Sequence, residues 1–291
     1  MTRLPSDRAA GALVLAAVLA AAFLSMAVYA VRGRKRDEDA LGKSAQLFLG
    51  FGDFLLHWFL WAVGPAVRVS LWLGLTPDFY NFAGLALGLL SGVLIGAGWL
   101  PAGGWAIALG GVCDILDGRI ARLTGVASAY GDFVDSTFDR FVEAFAFLGF
   151  AWWFRATPYG SFLAASALAG SLIVSYARAR GEVLGVTCLG GLMQRGERLV
   201  LTCLACLLDP PVTAYLGWAE GSVVQGMLAL VAVTTFFTAA HRTIWIAQQL
   251  RAHRPGLESD SENHPDVDPL VDNAARGAGG VEVATRSADP L

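Results

Sequence analysis

The chain has 291 residues, of which 55% are hydrophobic and only 15% charged, with a mean hydropathy of +0.55. That composition excludes an ordinary soluble domain and describes a polytopic membrane protein. The net charge of −3 says little as a whole, because residues 255–291 alone carry eight acidic residues against two arginines.

In chain order, residues 9–31 form an apolar run between Arg8 and Arg32, long enough to span about 30 Å of hydrocarbon at about 1.5 Å per residue. A signal peptide is the rival reading, since Arg3 and Arg8 precede the run and Ala27-Val28-Tyr29-Ala30 resembles a cleavage site. The run is too long for an ordinary signal core, so an anchor helix is expected. Arg32, Arg34, Lys35 and Arg36 follow it and place residue 32 on the cytoplasmic side. From Ala45 to Leu75 apolar sequence is interrupted by Asp53, His57, Pro65 and Arg68 and is rich in Phe and Trp, which reads as a helix at the cytoplasmic interface. His57 is lone there and reads as an interfacial residue.

Thr76-Pro77-Asp78 is a helix start, with Thr76 as N-cap and Pro77 in the first turn. The helix should run to about Leu100, and Gly84, Gly88, Gly92 and Gly96 give it a stripe that another backbone can approach closely. Further spans are expected from near Gly103, from about Tyr130 to Phe154, from about Ser161 to Tyr176, from near Gly191 to just before Asp209-Pro210-Pro211, and from about Val223 to Ile246. Arg119, Arg122, Arg178, Arg180, Arg195, Arg198 and Arg242 gather at one side of these spans, while the opposite loops carry little positive charge beyond Arg155. By the positive-inside rule that side is cytoplasmic. The fold expected is all-α and membrane-embedded: a six-helix core, an interfacial helix and one extra N-terminal transmembrane helix. The corresponding divisions are a 1–44 anchor and basic linker, a 45–250 membrane domain and a 251–291 disordered acidic tail. Cys113, Cys188, Cys203 and Cys206 sit in or beside apolar runs, so neither a disulfide nor a zinc site is inferred.

The chemistry concentrates between residues 114 and 139. Asp114 and Asp117 are three apart and Asp135 and Asp139 four apart, so each pair projects from one face of its helix. Both pairs border apolar sequence, where an uncompensated carboxylate at mid-bilayer costs roughly 2.5–3.5 kcal/mol. A cation must therefore accompany them. An all-oxygen set suits Mg2+, Mn2+ or Ca2+, with Mg2+ the default.

The stretch from Asp114-Ile-Leu-Asp117-Gly118 through Ala121-Arg122 to Gly131, Asp135 and Asp139 resembles the signature of the CDP-alcohol phosphotransferase family, D-x2-D-G-x2-A-R-x8-G-x3-D-x3-D, and matches every fixed position. The resemblance implies a membrane-embedded enzyme that moves a phosphatidyl-type group from a CDP-lipid such as CDP-diacylglycerol to a polar alcohol, releasing CMP. It implies metal binding by Asp114, Asp117 and Asp135, with Asp139 carried over both as general base and as a further ligand. Two ions held by these carboxylates would neutralise the diphosphate. Gly118, Ala121 and Arg122 are implied on the nucleotide, as are Asp78 and Asn81, although Asn81 stands where the family commonly has Thr. A homodimer is implied as well.

A second stretch bears on the acceptor. Ser175-Tyr-Ala-Arg178-Ala-Arg180-Gly-Glu182 and Gln194-Arg195-Gly-Glu197-Arg198 resemble the inositol-phosphate branch of the family, with Arg178 for Lys, Gly181 for Ala, Gln194 for Glu and Gly196 for Pro. The resemblance places the acceptor phosphate among Ser175, Arg178, Arg198 and Arg242. Clustered guanidiniums suit a phosphate monoester, so myo-inositol phosphate is the acceptor expected, with glycerol 3-phosphate as the alternative. A cation transporter is the remote alternative, and it would spread its acids through the membrane rather than gather them at one face.

Overall fold

The computed structural model describes residues 5–31, 51–188 and 190–252. The described residues form eight helices and no strand: α1 (Pro5–Val31), α2 (Phe51–Trp72), α3 (Pro77–Gly96), α4 (Leu100–Thr124), α5 (Ala129–Trp153), α6 (Pro158–Val183), α7 (Arg195–Leu216) and α8 (Ser222–Ala252). This is an integral-membrane α fold, in which α3, α6, α7 and α8 are each long and apolar enough to cross a bilayer. Helices α4 and α5 match them in length, at 25 residues each, while carrying the aspartates. The basic linker after residue 31, the first residues of the expected interfacial stretch (45–50) and the acidic tail beyond residue 252 lie outside the described residues. The chain divides into two units, Met1–Ile246 and Ala247–Leu291, and the whole candidate site belongs to the first.

Local chemistry sets the helix ends. Thr76 Oγ accepts a hydrogen bond from the Phe79 amide at 3.3 Å, with Pro77 in the first turn of α3. Helix α4 stops at Gly125, whose φ of 70° is a left-handed cap. Ser128 then opens α5 by accepting from the Gly131 amide at 3.2 Å. Asp114 lies ten residues before Thr124 and Asp139 ten residues after Ala129. A short turn between two helices thus brings residues about 15 Å from either helix end to one level.

Helix α3 packs against both α4 and α5, α4 also meets α7 and α2, and α5 meets α6. The expected glycine stripe is the α3 packing face. A Cβ on Gly92 would stand 2.4 Å from the Phe145 carbonyl oxygen of α5, and one on Gly88 would strike Val142. Such backbone approach is open only to glycine. The main core is built from Ile95, Leu100, Phe147, Phe150, Ala164, Cys206, Val224 and Leu228. A second cluster, Val63, Val67, Tyr80, Leu116 and Ile120, ties α2 to α3 and α4. Beside it Arg119 Nη1 donates to the Leu60 carbonyl at 2.6 Å.

Helix α1 is seated on α2. Trp58 Nε1 donates to Ser25 Oγ at 3.0 Å, and the buried Tyr29 ring lies 5.7 Å from Phe54 and 5.6 Å from Trp61. The residues that resemble a cleavage site are therefore part of a packed helix.

One helix end differs from expectation. Helix α7 does not stop before Asp209-Pro210-Pro211 but continues through both prolines to Leu216. Interior prolines each remove a helix hydrogen bond and cost about 3 kcal/mol. The position is held from outside the helix: the fully buried Asp209 carboxylate accepts from the amides of Gly221 at 2.9 Å, Val223 at 3.0 Å and Val224 at 3.2 Å. It thereby satisfies the otherwise orphaned donors at the start of α8. Two smaller differences are that α6 extends to Val183 and α8 to Ala252.

Candidate active site

Three of the four aspartates converge. Asp114 from α4 and Asp135 and Asp139 from α5 each offer a carboxylate oxygen, and these oxygens lie within 4.8 Å of one another. Asp114 is near enough to both of the others to interact with them. Carboxylates so close need a shared cation or a shared proton, and an all-oxygen cluster of this size fits a hard divalent ion. Asp117 lies one turn further along α4, buried, with its Oδ1 accepting from the Gly118 amide. It stands outside the three-residue cluster, yet near enough to Asp114 and Asp135 to feel both charges.

A residue that sequence reasoning left out of the site sits inside the cluster. Arg195, the first residue of α7, donates through Nη1 to Asp114 Oδ1 at 3.1 Å and forms a second ion pair through Nη2 with Asp139 Oδ1. Helix α7 thus begins level with the carboxylates and turns its positive dipole end toward them. One turn on, Arg198 is 2% exposed and grips Glu143 of α5, Nε to Oε1 at 2.5 Å and Nη2 to Oε2 at 3.2 Å, while Nη1 donates to the Met193 carbonyl at 3.3 Å. The two helices are therefore joined by a ladder whose rungs are Arg195–Asp139 and Arg198–Glu143. The sequence signal that bears on it is spacing: Glu143 extends the i, i+4 series Asp135, Asp139 on α5, and Arg195 and Arg198 are three apart on α7, which narrows the pairing to two registers.

The remaining residues singled out in the sequence fall into two groups. At the start of α3, Asp78 is exposed and Asn81 buried. On α4, Ala121 is half-buried, and the Arg122 guanidinium folds back over Gly118, where a Cβ would stand 3.3 Å from Nη1. In the second group, Ser175 is half-buried on α6, and Arg178 is exposed and pairs with Glu182 at 2.8 Å. Arg242 of α8 is buried, donating from Nε to the Gly190 carbonyl at 2.9 Å and from Nη1 to the Val174 carbonyl at 3.3 Å. Arg242 lies within electrostatic reach of both Arg178 and Arg198. Arg242 thus feels two other guanidiniums, an arrangement that favours an anionic partner.

Comparison with known proteins bears on this arrangement. The family model for CDP-alcohol phosphatidyltransferase matches residues 74–222, from just before α3 to the start of α8. The phosphatidylinositol phosphate synthase of Streptomyces avermitilis is 30% identical over 216 residues, which cover 71% of this chain and 81% of that one. The crystal structure of Mycobacterium tuberculosis phosphatidylinositol phosphate synthase with CDP-DAG bound superposes with a TM-score of 0.55 at 28% identity, covering 62% of this chain and 92% of that one. The same enzyme in complex with manganese and citrate gives a TM-score of 0.58 at 27% identity, covering 68% and 97%. With the complete aspartate signature lying inside the matched segment, the chain belongs to the CDP-alcohol phosphatidyltransferase family.

Proposed function

We propose that the protein transfers a phosphatidyl group from CDP-diacylglycerol to myo-inositol phosphate, releasing CMP and leaving a phosphatidylinositol phosphate in the membrane. The observation that carries this reading is the convergence of Asp114, Asp135 and Asp139 from two helices. The relatives named phosphatidylinositol phosphate synthase support the choice of acceptor. So does the grouping of Arg242 with Arg178 and Arg198.

Asp114, Asp135 and Asp139, with Asp117 completing the set, are the residues that would hold Mg2+ or Mn2+, two ions in this reading, whose chemistry is to neutralise charge on the diphosphate. Asp139 takes the proton from the acceptor hydroxyl. As the acceptor oxygen bonds to the phosphorus that carries diacylglycerol, the bond from that phosphorus to the CMP oxygen breaks. Gly118 and Ala121 keep the α4 surface low where the nucleotide lies, and Arg122 is placed to contact its phosphates. Asp78 and Asn81, in the first turns of α3, border the same side. Ser175, Arg178, Arg198 and Arg242 hold the acceptor phosphate. Two of these guanidiniums are oriented in advance, Arg198 by Glu143 and Arg242 by two backbone carbonyls, so that less side-chain freedom is lost on binding. Arg178 must turn from Glu182.

The same reading takes α3 to α8 as six membrane spans, α2 as an interfacial helix and α1 as an additional span, within the divisions 1–44, 45–250 and 251–291. The site end faces the cytoplasm at the inner membrane, as its concentration of arginines supports, and the enzyme is a homodimer. Membranes containing the protein, given CDP-diacylglycerol, Mg2+ and either myo-inositol phosphate, glycerol 3-phosphate or free inositol, test the proposal. Phosphatidylinositol phosphate is the product expected. Phosphatidylglycerophosphate alone would remove the acceptor assignment, and no CMP release with any acceptor would remove the transfer itself.

A further inference from the structure

Arg195 pairs with carboxylates that a metal-binding aspartate cluster would offer its ion. Its guanidinium draws on one oxygen of Asp114 and one of Asp139, two of the three carboxylates that converge. An ion between the helices would draw on the same two carboxylates, and a guanidinium and a divalent cation a few ångströms apart repel. The backbone beneath Arg195 is fixed independently. Gln194 and Glu197 form a reciprocal capping box across the first turn of α7, and the buried Arg198–Glu143 pair anchors that turn to α5. The Arg195 side chain itself remains 30% exposed, so it can leave the carboxylates for water without unseating the helix.

We propose that Arg195 is the resident counter-cation of the cluster, bound in exchange with the divalent ion, and that it sets the affinity of the site for metal. Without metal, its charge keeps Asp114 and Asp139 together against their mutual repulsion and holds α4, α5 and α7 in register. On loading, Asp114 and Asp139 would hold the ion and the guanidinium would leave them for water. The inference rests on the metal-dependent reading above and makes Arg195 a positioning residue, acting on the reaction through the carboxylates.

The test uses the full chain in detergent without either substrate. Mn2+ binding is titrated by electron paramagnetic resonance, and thermal unfolding is followed in EDTA and in saturating Mn2+, for the wild type, Arg195→Gln and Arg195→Lys. Arg195→Gln should bind Mn2+ about tenfold more tightly, within the range that coupled binding events commonly show. Its melting temperature should fall in EDTA and match the wild type in Mn2+. Arg195→Lys, a point charge that cannot bridge two carboxylates as a planar fork does, should fall between, and it carries the test if Arg195→Gln proves unstable without metal. A merely structural arginine would lower both melting temperatures equally and leave Mn2+ affinity unchanged; either result overturns the proposal, as does weaker Mn2+ binding. If the wild type takes up Mn2+ and the variants bind no more tightly, only this inference falls. If the wild type takes up none, the metal-dependent reading falls with it.

Discussion

Glu143 lies outside the aspartate signature, yet the structure makes it the partner of Arg198, and truncating it should be among the costliest single changes in the protein. Arg198 is 2% exposed and the Glu143 side chain 12%. Of the five N–H donors of the guanidinium, the bonds to Glu143 use Nε and Nη2, and one more goes to the Met193 carbonyl. Glu143→Ala leaves a buried cation with that one neutral acceptor. Breaking a buried pair from one side costs about 3–5 kcal/mol, roughly two to nearly four orders of magnitude in the folded-to-unfolded ratio. Glu143→Gln keeps the shape and one acceptor oxygen and should cost less, about 1.5–3 kcal/mol. The double replacement Glu143→Leu with Arg198→Met removes both charges and should recover most of the stability, while abolishing use of the acceptor. Equilibrium unfolding in mixed micelles measures the first three quantities. Steady-state kinetics on Glu143→Gln should show the acceptor KM raised well beyond that for the CDP-lipid. The reasoning is refuted if Glu143→Ala costs under about 1 kcal/mol, or if the double variant is no more stable than Glu143→Ala alone.

Three further outcomes are expected. Asp139→Asn should abolish turnover while CDP-lipid binding persists, checked by CMP release beside equilibrium binding; full activity would remove the base assignment. Gly92→Ala would place a methyl 2.4 Å from the Phe145 carbonyl, so α3 and α5 must part, at a cost of about 1–3 kcal/mol; an unchanged melting temperature would contradict the packing. Asp209→Ala strips three amide bonds from the start of α8 and should cost about 2 kcal/mol, visible as faster hydrogen exchange at Gly221, Val223 and Val224.

The acidic half of the site was legible in the sequence because the geometry that assembles it is local. Three- and four-residue spacings fix which carboxylates share a helix face, and a short turn at Gly125 sets the two faces at one level, which brings Asp114, Asp135 and Asp139 together, while Asp117, read with them in the sequence, stands outside the cluster. The start of α3 at Thr76 and the packing role of its glycines were legible for the same reason. The cationic half depends on contacts across long stretches of chain. Arg195 meets Asp114 across 81 residues and Arg198 meets Glu143 across 55, and in sequence both are indistinguishable from arginines that merely set topology. The end of α7 was misread by the same mechanism, since a proline pair reads as a stop unless one sees Asp209 bonded to amides twelve to fifteen residues away. These non-local contacts share one physical demand: each satisfies a charge or an orphaned donor that the local sequence leaves exposed to an apolar surrounding. A single sequence reports that need, as it does in the aspartate pairs, and leaves the partner to be found among every complementary group the fold brings to the same depth. In a membrane protein that search is short, because so few charges lie at helix-end depth; matching Asp135, Asp139 and Glu143 on α5 against Arg195 and Arg198 on α7 leaves two registers, and the structure takes the one that pairs Arg195 with Asp139 and Arg198 with Glu143.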